Sequence, residues 1–208
     1  MYYNMDFEKF FSGLLATIYL FLRRIVLLVF LPYKTMRHIS EEKDFGQIIL
    51  IFITIAFYFF LANGLREYDY EPFVLFLMTV FHYIATVIFF YLFTMMIGSH
   101  DAKLQPFLFT FAYALIPTIL WFSTNSVLYA VLPPPRTLSI LGKAFSILFI
   151  TFSTAVLMWK IILMYLAIRF STKLNFFQIV YVVILYLIAI LPYSIFLYSL
   201  RFFRIPFL

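Results

Sequence analysis

Polar positions along this chain are spaced so widely that long apolar intervals separate them. Five intervals stand out, at 46–63, 72–98, 107–132, 144–168 and 176–200, and of the fifteen basic and nine acidic residues only Lys160 falls inside one. Each interval reaches the roughly 20 residues that a helix rising ~1.5 Å per residue needs to cross a ~30 Å hydrocarbon core, the first only just. Runs such as 48–62 show no alternation of apolar and polar positions, so the pattern predicts helices rather than barrel strands. The expected fold is an all-α integral membrane protein: a five-span helical bundle over 46–208, preceded by an N-terminal segment over 1–45.

The segment 10–31 is long enough to span but carries Arg23 and Arg24 side by side near its middle. Two central arginines cost roughly 5–7 kcal/mol on insertion scales. Lys9, Ser12, Gly13, Ala16, Thr17, Arg23 and Arg24 gather on one helical face, and Phe10, Phe11, Leu14, Leu15, Ile18, Leu22 and Ile25 on another. This predicts an amphipathic helix lying in the membrane interface and ended by Pro32. A sixth span is the alternative, and it would move the N-terminus to the other side.

Composition sharpens the picture. A 65% hydrophobic content and a mean hydropathy of +1.04 exclude a water-soluble domain. The net charge of +6 matters through its distribution: Lys9, Arg23, Arg24, Lys34, Arg37 and Lys43 all precede the first span. With Lys103, Arg169 and Lys173 they outnumber Arg66, Arg136, Lys143, Arg201 and Arg204 of the opposite side, which predicts a cell-membrane protein with its N-terminus cytoplasmic and its C-terminus outside. Arg23, Arg24, Lys34 and Arg37 are candidates for contact with anionic lipid, each gaining about 1 kcal/mol near such a surface. No basic recognition element for nucleic acid is present. The chain has no cysteine, so it offers neither a disulfide nor a thiolate metal site.

Lys160 is the sharpest chemical feature, since an ionisable residue within a span is a functional hypothesis by default. It lies nine residues, about 13 Å, from Arg169 at the inner boundary. Pro117 removes the amide that would bond the carbonyl of Tyr113, at nearly the same depth. The Lys160 ammonium is therefore expected to bond that carbonyl or nearby hydroxyls; snorkelling to lipid phosphate and a transport role are the other readings. His82, inside the second span, reads either as a satisfied core residue or as a proton relay. The polar run at 123–126 reads as a helix end near the outer interface. His38 and His100 stand near the inner surface, with no carboxylate or second histidine at ligand spacing within one helix, so no metal site is expected. Paired intramembrane aspartates, a nucleophile elbow and a phosphate-cradling glycine loop are all missing, which predicts a non-enzymatic protein with no cofactor.

A pattern joins these parts. An amphipathic lead ends in Leu31-Pro32-Tyr33, followed by Met36-Arg37-His38-Ile39-Ser40-Glu41-Glu42 and five closely spaced spans. Tyr113-Ala114-Leu115-Ile116-Pro117 lies in the third, and Trp159, Leu163, Ala167 and Ile168 in the fourth. From about residue 25 onward the chain resembles the Yip family, the Ypt/Rab-interacting-protein domain, in a compact prokaryotic form. The resemblance implies a five-span bundle with a cytoplasmic N-terminus, organising lipid or partner proteins as its eukaryotic relatives do in vesicle trafficking. The Asp-Leu-Tyr-Gly-Pro signature of those relatives is absent and the N-terminal region is short, which counts against small-GTPase binding. The expected companions are membrane lipids and either further copies of the chain or a membrane-protein partner. The competing reading is a small permease or channel with a polar path around Lys160, His82 and the Pro117 kink.

Overall fold

A computed structural model describes residues 3–65, 70–98, 102–131 and 140–202. Of the residues weighed above, Arg66, His100, Arg136 and Arg204 lie outside this range. The described residues form eight helices and no strand: α1 (Tyr3–Phe30), α2 (Pro32–Ser40), α3 (Gly46–Leu65), α4 (Pro72–Met96), α5 (Leu104–Tyr113), α6 (Ile116–Val131), α7 (Ile140–Ser171) and α8 (Phe176–Ser199).

Local chemistry sets several of the boundaries. Pro32 and Pro72 occupy the first turns of α2 and α4, where a missing amide costs nothing. Asn175 opens α8 with a capping box: its side chain accepts from the Gln178 amide at 2.9 Å while the Gln178 side chain accepts from the Asn175 amide at 3.0 Å. Pro117 has the predicted effect. The third apolar interval is two helices, α5 and α6, parted at Ala114–Leu115 just upstream of the proline. The run at 123–126 does not end a helix, contrary to expectation. It lies within α6, and Ser126 is buried because its hydroxyl meets the Tyr58 hydroxyl of α3 at 2.8 Å.

The helices pack as an all-α, multi-pass membrane bundle. Six stretches are long and apolar enough to cross: Phe11–Phe30, Gly46–Leu65, Pro72–Met96, Leu104–Val131, Gly142–Ser171 and Phe176–Ser199. Five match the expected spans. The additional one is most of α1, which qualifies because two arginines do not outweigh eighteen otherwise uncharged residues. The α5–α6 pair is central: Phe107, Phe109, Thr110, Phe111, Ala112 and Tyr113 are consecutive or nearly so and all buried, so α5 beyond its exposed first turn is enclosed on every side.

One end of the bundle gathers the starts of α3, α5 and α8 with the ends of α4 and α7. Gln105 of α5 donates its side-chain amide to the Glu42 carbonyl ahead of α3 at 2.8 Å, and Tyr33 of α2 packs edge-on against Phe170 of α7. The opposite end is fastened where Tyr70 donates to the Leu200 carbonyl at 2.9 Å and stacks on Phe202. Helix α2 was not anticipated from the sequence. It buries Thr35, Met36 and Ile39 against α5 and α7, and with Phe21 and Leu28 of α1 it belongs to the same apolar core as the spans.

Candidate functional site

Two polar centres are built into this frame, one inside the bundle and one at the end where α3 starts.

The interior centre forms where the α5–α6 break meets α4, α7 and α8. Lys160 of α7 is buried, and its ammonium donates to the Thr118 hydroxyl at 2.9 Å. Thr118 stands just past the break, in the first turn of α6. Lys160 and His82 border the same cavity of about 20 Å³, together with Ala114 and Leu115 of the break and Thr79, Thr86 and Tyr186. That volume holds about one water molecule. Most hydroxyls around it are already engaged: Thr79 bonds the Leu75 carbonyl at 2.9 Å, Tyr83 the Leu108 carbonyl at 2.6 Å, and Thr86 pairs with Tyr186 at 3.1 Å. His82 stacks on Tyr193 with ring centres 5.2 Å apart, and its buried Nε2 has no hydrogen-bond partner. A recess of about 300 Å³ opens beside His82 between α4 and α8, lined mainly by apolar residues, while aromatic rings pack the side toward Phe111. Phe90 lies 4.8 Å from Phe111 and 4.7 Å from Tyr186 between ring centres.

The sequence reading grouped Lys160, His82, Tyr113 and Pro117, and the structure divides them. Lys160 and His82 share the cavity, and Pro117 shapes it through the break. The Tyr113 side chain points elsewhere, into the second centre: its hydroxyl donates to Gln47 Oε1 at 2.6 Å.

That second centre ties α1 to the bundle. Arg24 donates to Gln47 Oε1 and forms an ion pair with Glu42, while Gln47 returns its own amide to Glu42 Oε2 at 3.1 Å. Seven residues earlier on α1, Thr17 donates to Asp44 Oδ2 at 2.9 Å. The close approach depends on Gly46, where a Cβ would stand 2.9 Å from Asp44 Oδ1 and 3.3 Å from Thr17 Cγ2. Thr17, Phe21, Arg24 and Leu28 recur at helical spacing and face the bundle, leaving Phe11, Leu14, Leu15 and Leu22 exposed. Arg24 is therefore not a freely solvated basic group, as its neighbour Arg23 is; a carboxylate and an amide turn it inward.

Between α1 and α2 lies a groove of about 500 Å³, bordered by Arg23, Arg24, Lys34 and His38 over Leu20, Leu27 and Leu31. Three of the four basic candidates border it. Arg37, the fourth, is exposed outside it, and His38 takes its place. Sequence reasoning also missed Gln47 and Glu42. The available signal was a lone glutamine at the very start of an apolar run, preceded by acids, opposite an arginine on the lead.

Compared with protein-family models, with characterised proteins and with solved structures, the chain has no match. Its chemistry is read from its own residues.

Glu42 holds the centre's charge. Partial burial pushes its carboxyl up, but the Lys43 and Asp44 amides and the Arg24 guanidinium outweigh this and bring it from the ordinary 4.5 down to about 2. A carboxyl held low contributes stability that is complete above about pH 4.5 and fades as pH falls toward 2. Acid in that window is expected to loosen α1. A fluorophore on a cysteine introduced as Leu15→Cys, unique in this cysteine-free chain, would report it. The Glu42→Gln variant should lose the response; an unchanged acid response in that variant refutes the assignment.

Proposed function

We propose that the chain is a non-enzymatic, multi-pass membrane protein of the Yip type that organises lipid or partner proteins rather than moving solutes. One observation carries this reading: the cavity beside Lys160 has room for about one water molecule, and the larger recess of about 300 Å³ on the His82 side is lined mainly by apolar residues and does not border Lys160. A permease path through Lys160 would need a connected, hydrated passage. The lysine instead serves as an internal tie, its ammonium held by Thr118.

The proposed topology has five spans, with α1 lying across the bundle end on the cytoplasmic side. Thr17 and Arg24 stand seven residues apart, about 10 Å along α1, yet their partners Asp44, Glu42 and Gln47 all lie at or just ahead of the start of α3. A spanning helix alongside α3 would meet progressively deeper residues instead. The exposed apolar residues of α1 then rest in the acyl boundary, as interfacial helices do. The resemblance to the Yip family supports the same arrangement through its sequence motifs, and with the GTPase-binding signature missing, the companions are lipid and a membrane-protein partner or further copies of this chain.

Proteoliposomes test both parts in one preparation. Single cysteines placed near each end should be labelled from opposite faces, and ion or small-solute flux should not exceed that of empty vesicles. Labelling of both ends from one face overturns the five-span topology. Flux that Lys160→Met and His82→Leu abolish overturns the scaffold reading in favour of a permease.

A further inference from the structure

The groove between α1 and α2 has the make-up of a binding site rather than of a diffuse basic surface. On α1, Arg23, Arg24 and Leu27 stand three, four and seven positions after Leu20, so the four share a face, and Leu31 follows at the corner. On α2, Lys34 and His38 are four apart and share another. Pro32 ends the first helix and starts the second, with Leu31 in a non-helical conformation between them, and this corner turns the two faces toward each other.

The resulting walls are basic and the floor is aliphatic. Among the described residues, no acidic one borders the groove. Glu42 answers the charge of Arg24 from the side of the bundle, while Arg23, Lys34 and His38 remain exposed. Thr35 is committed to the Leu31 carbonyl at 2.9 Å, which leaves the cations as the groove's polar donors. Depth follows from Arg24. It bonds Gln47, the second residue of α3, and the apolar run of that span begins at the next position, so the groove stands where a spanning helix leaves hydrocarbon for headgroups.

We propose that this groove holds one anionic phospholipid, its phosphate among Arg23, Lys34 and His38 and the upper part of its acyl chains against Leu20, Leu27 and Leu31. The inference rests on the proposed placement of α1 across the bundle end. A guanidinium matches phosphate oxygens in a planar fork, and an ammonium adds a point charge. The aliphatic floor is what separates a lipid from a soluble anion, which would use only the cations.

Native mass spectrometry of the full chain in detergent tests the site, with phosphatidylglycerol as the probe, phosphatidylcholine as the neutral lipid and inorganic phosphate as the soluble anion. The expected result is one retained phosphatidylglycerol per chain. With about 1 kcal/mol per basic group, the Arg23→Gln, Lys34→Gln double variant should bind it about thirtyfold more weakly, and Arg37→Gln, outside the groove, should bind as the unaltered chain does. Both substituted side chains of the double variant are exposed, so its melting temperature should stay unchanged and the comparison remains one between folded proteins. Equal binding by the double variant overturns the proposal, as does equal retention of phosphatidylcholine. An Arg37→Gln loss as large as that of the pair means diffuse attraction and overturns it as well. Binding of inorganic phosphate as tight as that of the lipid means an adventitious ion only. Solute flux from the proteoliposome experiment would sink the scaffold reading while leaving this lipid count untouched, so the two fail separately.

Discussion

Gln47→Leu is expected to destabilise the full chain in detergent by about 2–4 kcal/mol and to free α1 for proteolysis before the spans unfold. Gln47 is fully buried, and its side chain accepts from both Arg24 and Tyr113 while donating to Glu42. Leucine fills a similar volume and removes all three bonds. The Tyr113 hydroxyl and part of the Arg24 guanidinium are then left without their acceptor, and each buried donor without a partner costs about 1–3 kcal/mol. The lead separates first because Arg24 and Thr17 provide its polar attachment, whereas the spans keep their apolar contacts. A melting profile within about 0.5 kcal/mol of the unaltered chain would show that this network is ornamental.

The second large effect concerns Lys160. Shortening it to alanine removes three buried methylenes and the ammonium beside a cavity that already exists, and the enlarged void is expected to cost about 2–4 kcal/mol. Lys160→Met should differ from the unaltered chain by about 1 kcal/mol or less, since exchanging a buried polar tie for an apolar side chain of similar volume is often near neutral. Thr118 loses its amine partner in both variants, but a helical threonine can turn to the carbonyl four residues back, as Thr54, Thr79, Thr124, Thr151 and Thr154 do in this bundle. The pair of variants therefore separates packing from charge. If methionine destabilised as much as alanine, the ammonium itself would be holding α7 to α6; if alanine were harmless, the packing account of Lys160 would be wrong.

The spans were readable in the sequence because exclusion of charge is a property of each segment by itself. So was the break in the third span, since a proline removes an amide wherever it stands. A hydroxyl partner for Lys160 was also foreseen, through the matched depths of Lys160 and Pro117. What could not be read was which side chains meet across long separations. Tyr113 and Gln47 are sixty-six positions apart, and a glutamine at the mouth of an apolar run signals a polar partner without singling out the arginine twenty-three residues upstream. The run at 123–126 was misread for the same reason: polar groups near an interface cost little, and the pattern holds no mark of Tyr58 waiting on α3. For α1 the sequence contains both answers. Its apolar content suffices for a span, and its two arginines with a small-residue face suit a surface helix; the partners of Thr17 and Arg24 are what favour the second.

Helix α7 has a consequence of another kind. Its 32 residues extend about 48 Å, well beyond a hydrocarbon layer of ~30 Å. Tilting within the usual 0–40° cannot absorb the whole excess, so some of its turns must stand beyond the acyl region or the surrounding bilayer must thicken around it. Its neighbour α3, with 20 residues and about 30 Å, has no such surplus. A membrane thicker than about 30 Å thus leaves α3 short while α7 still overhangs, and bilayer thickness becomes a variable to which the α6–α7 seam, pinned where the Trp121 indole donates to the Ser153 hydroxyl at 2.9 Å, is mechanically coupled.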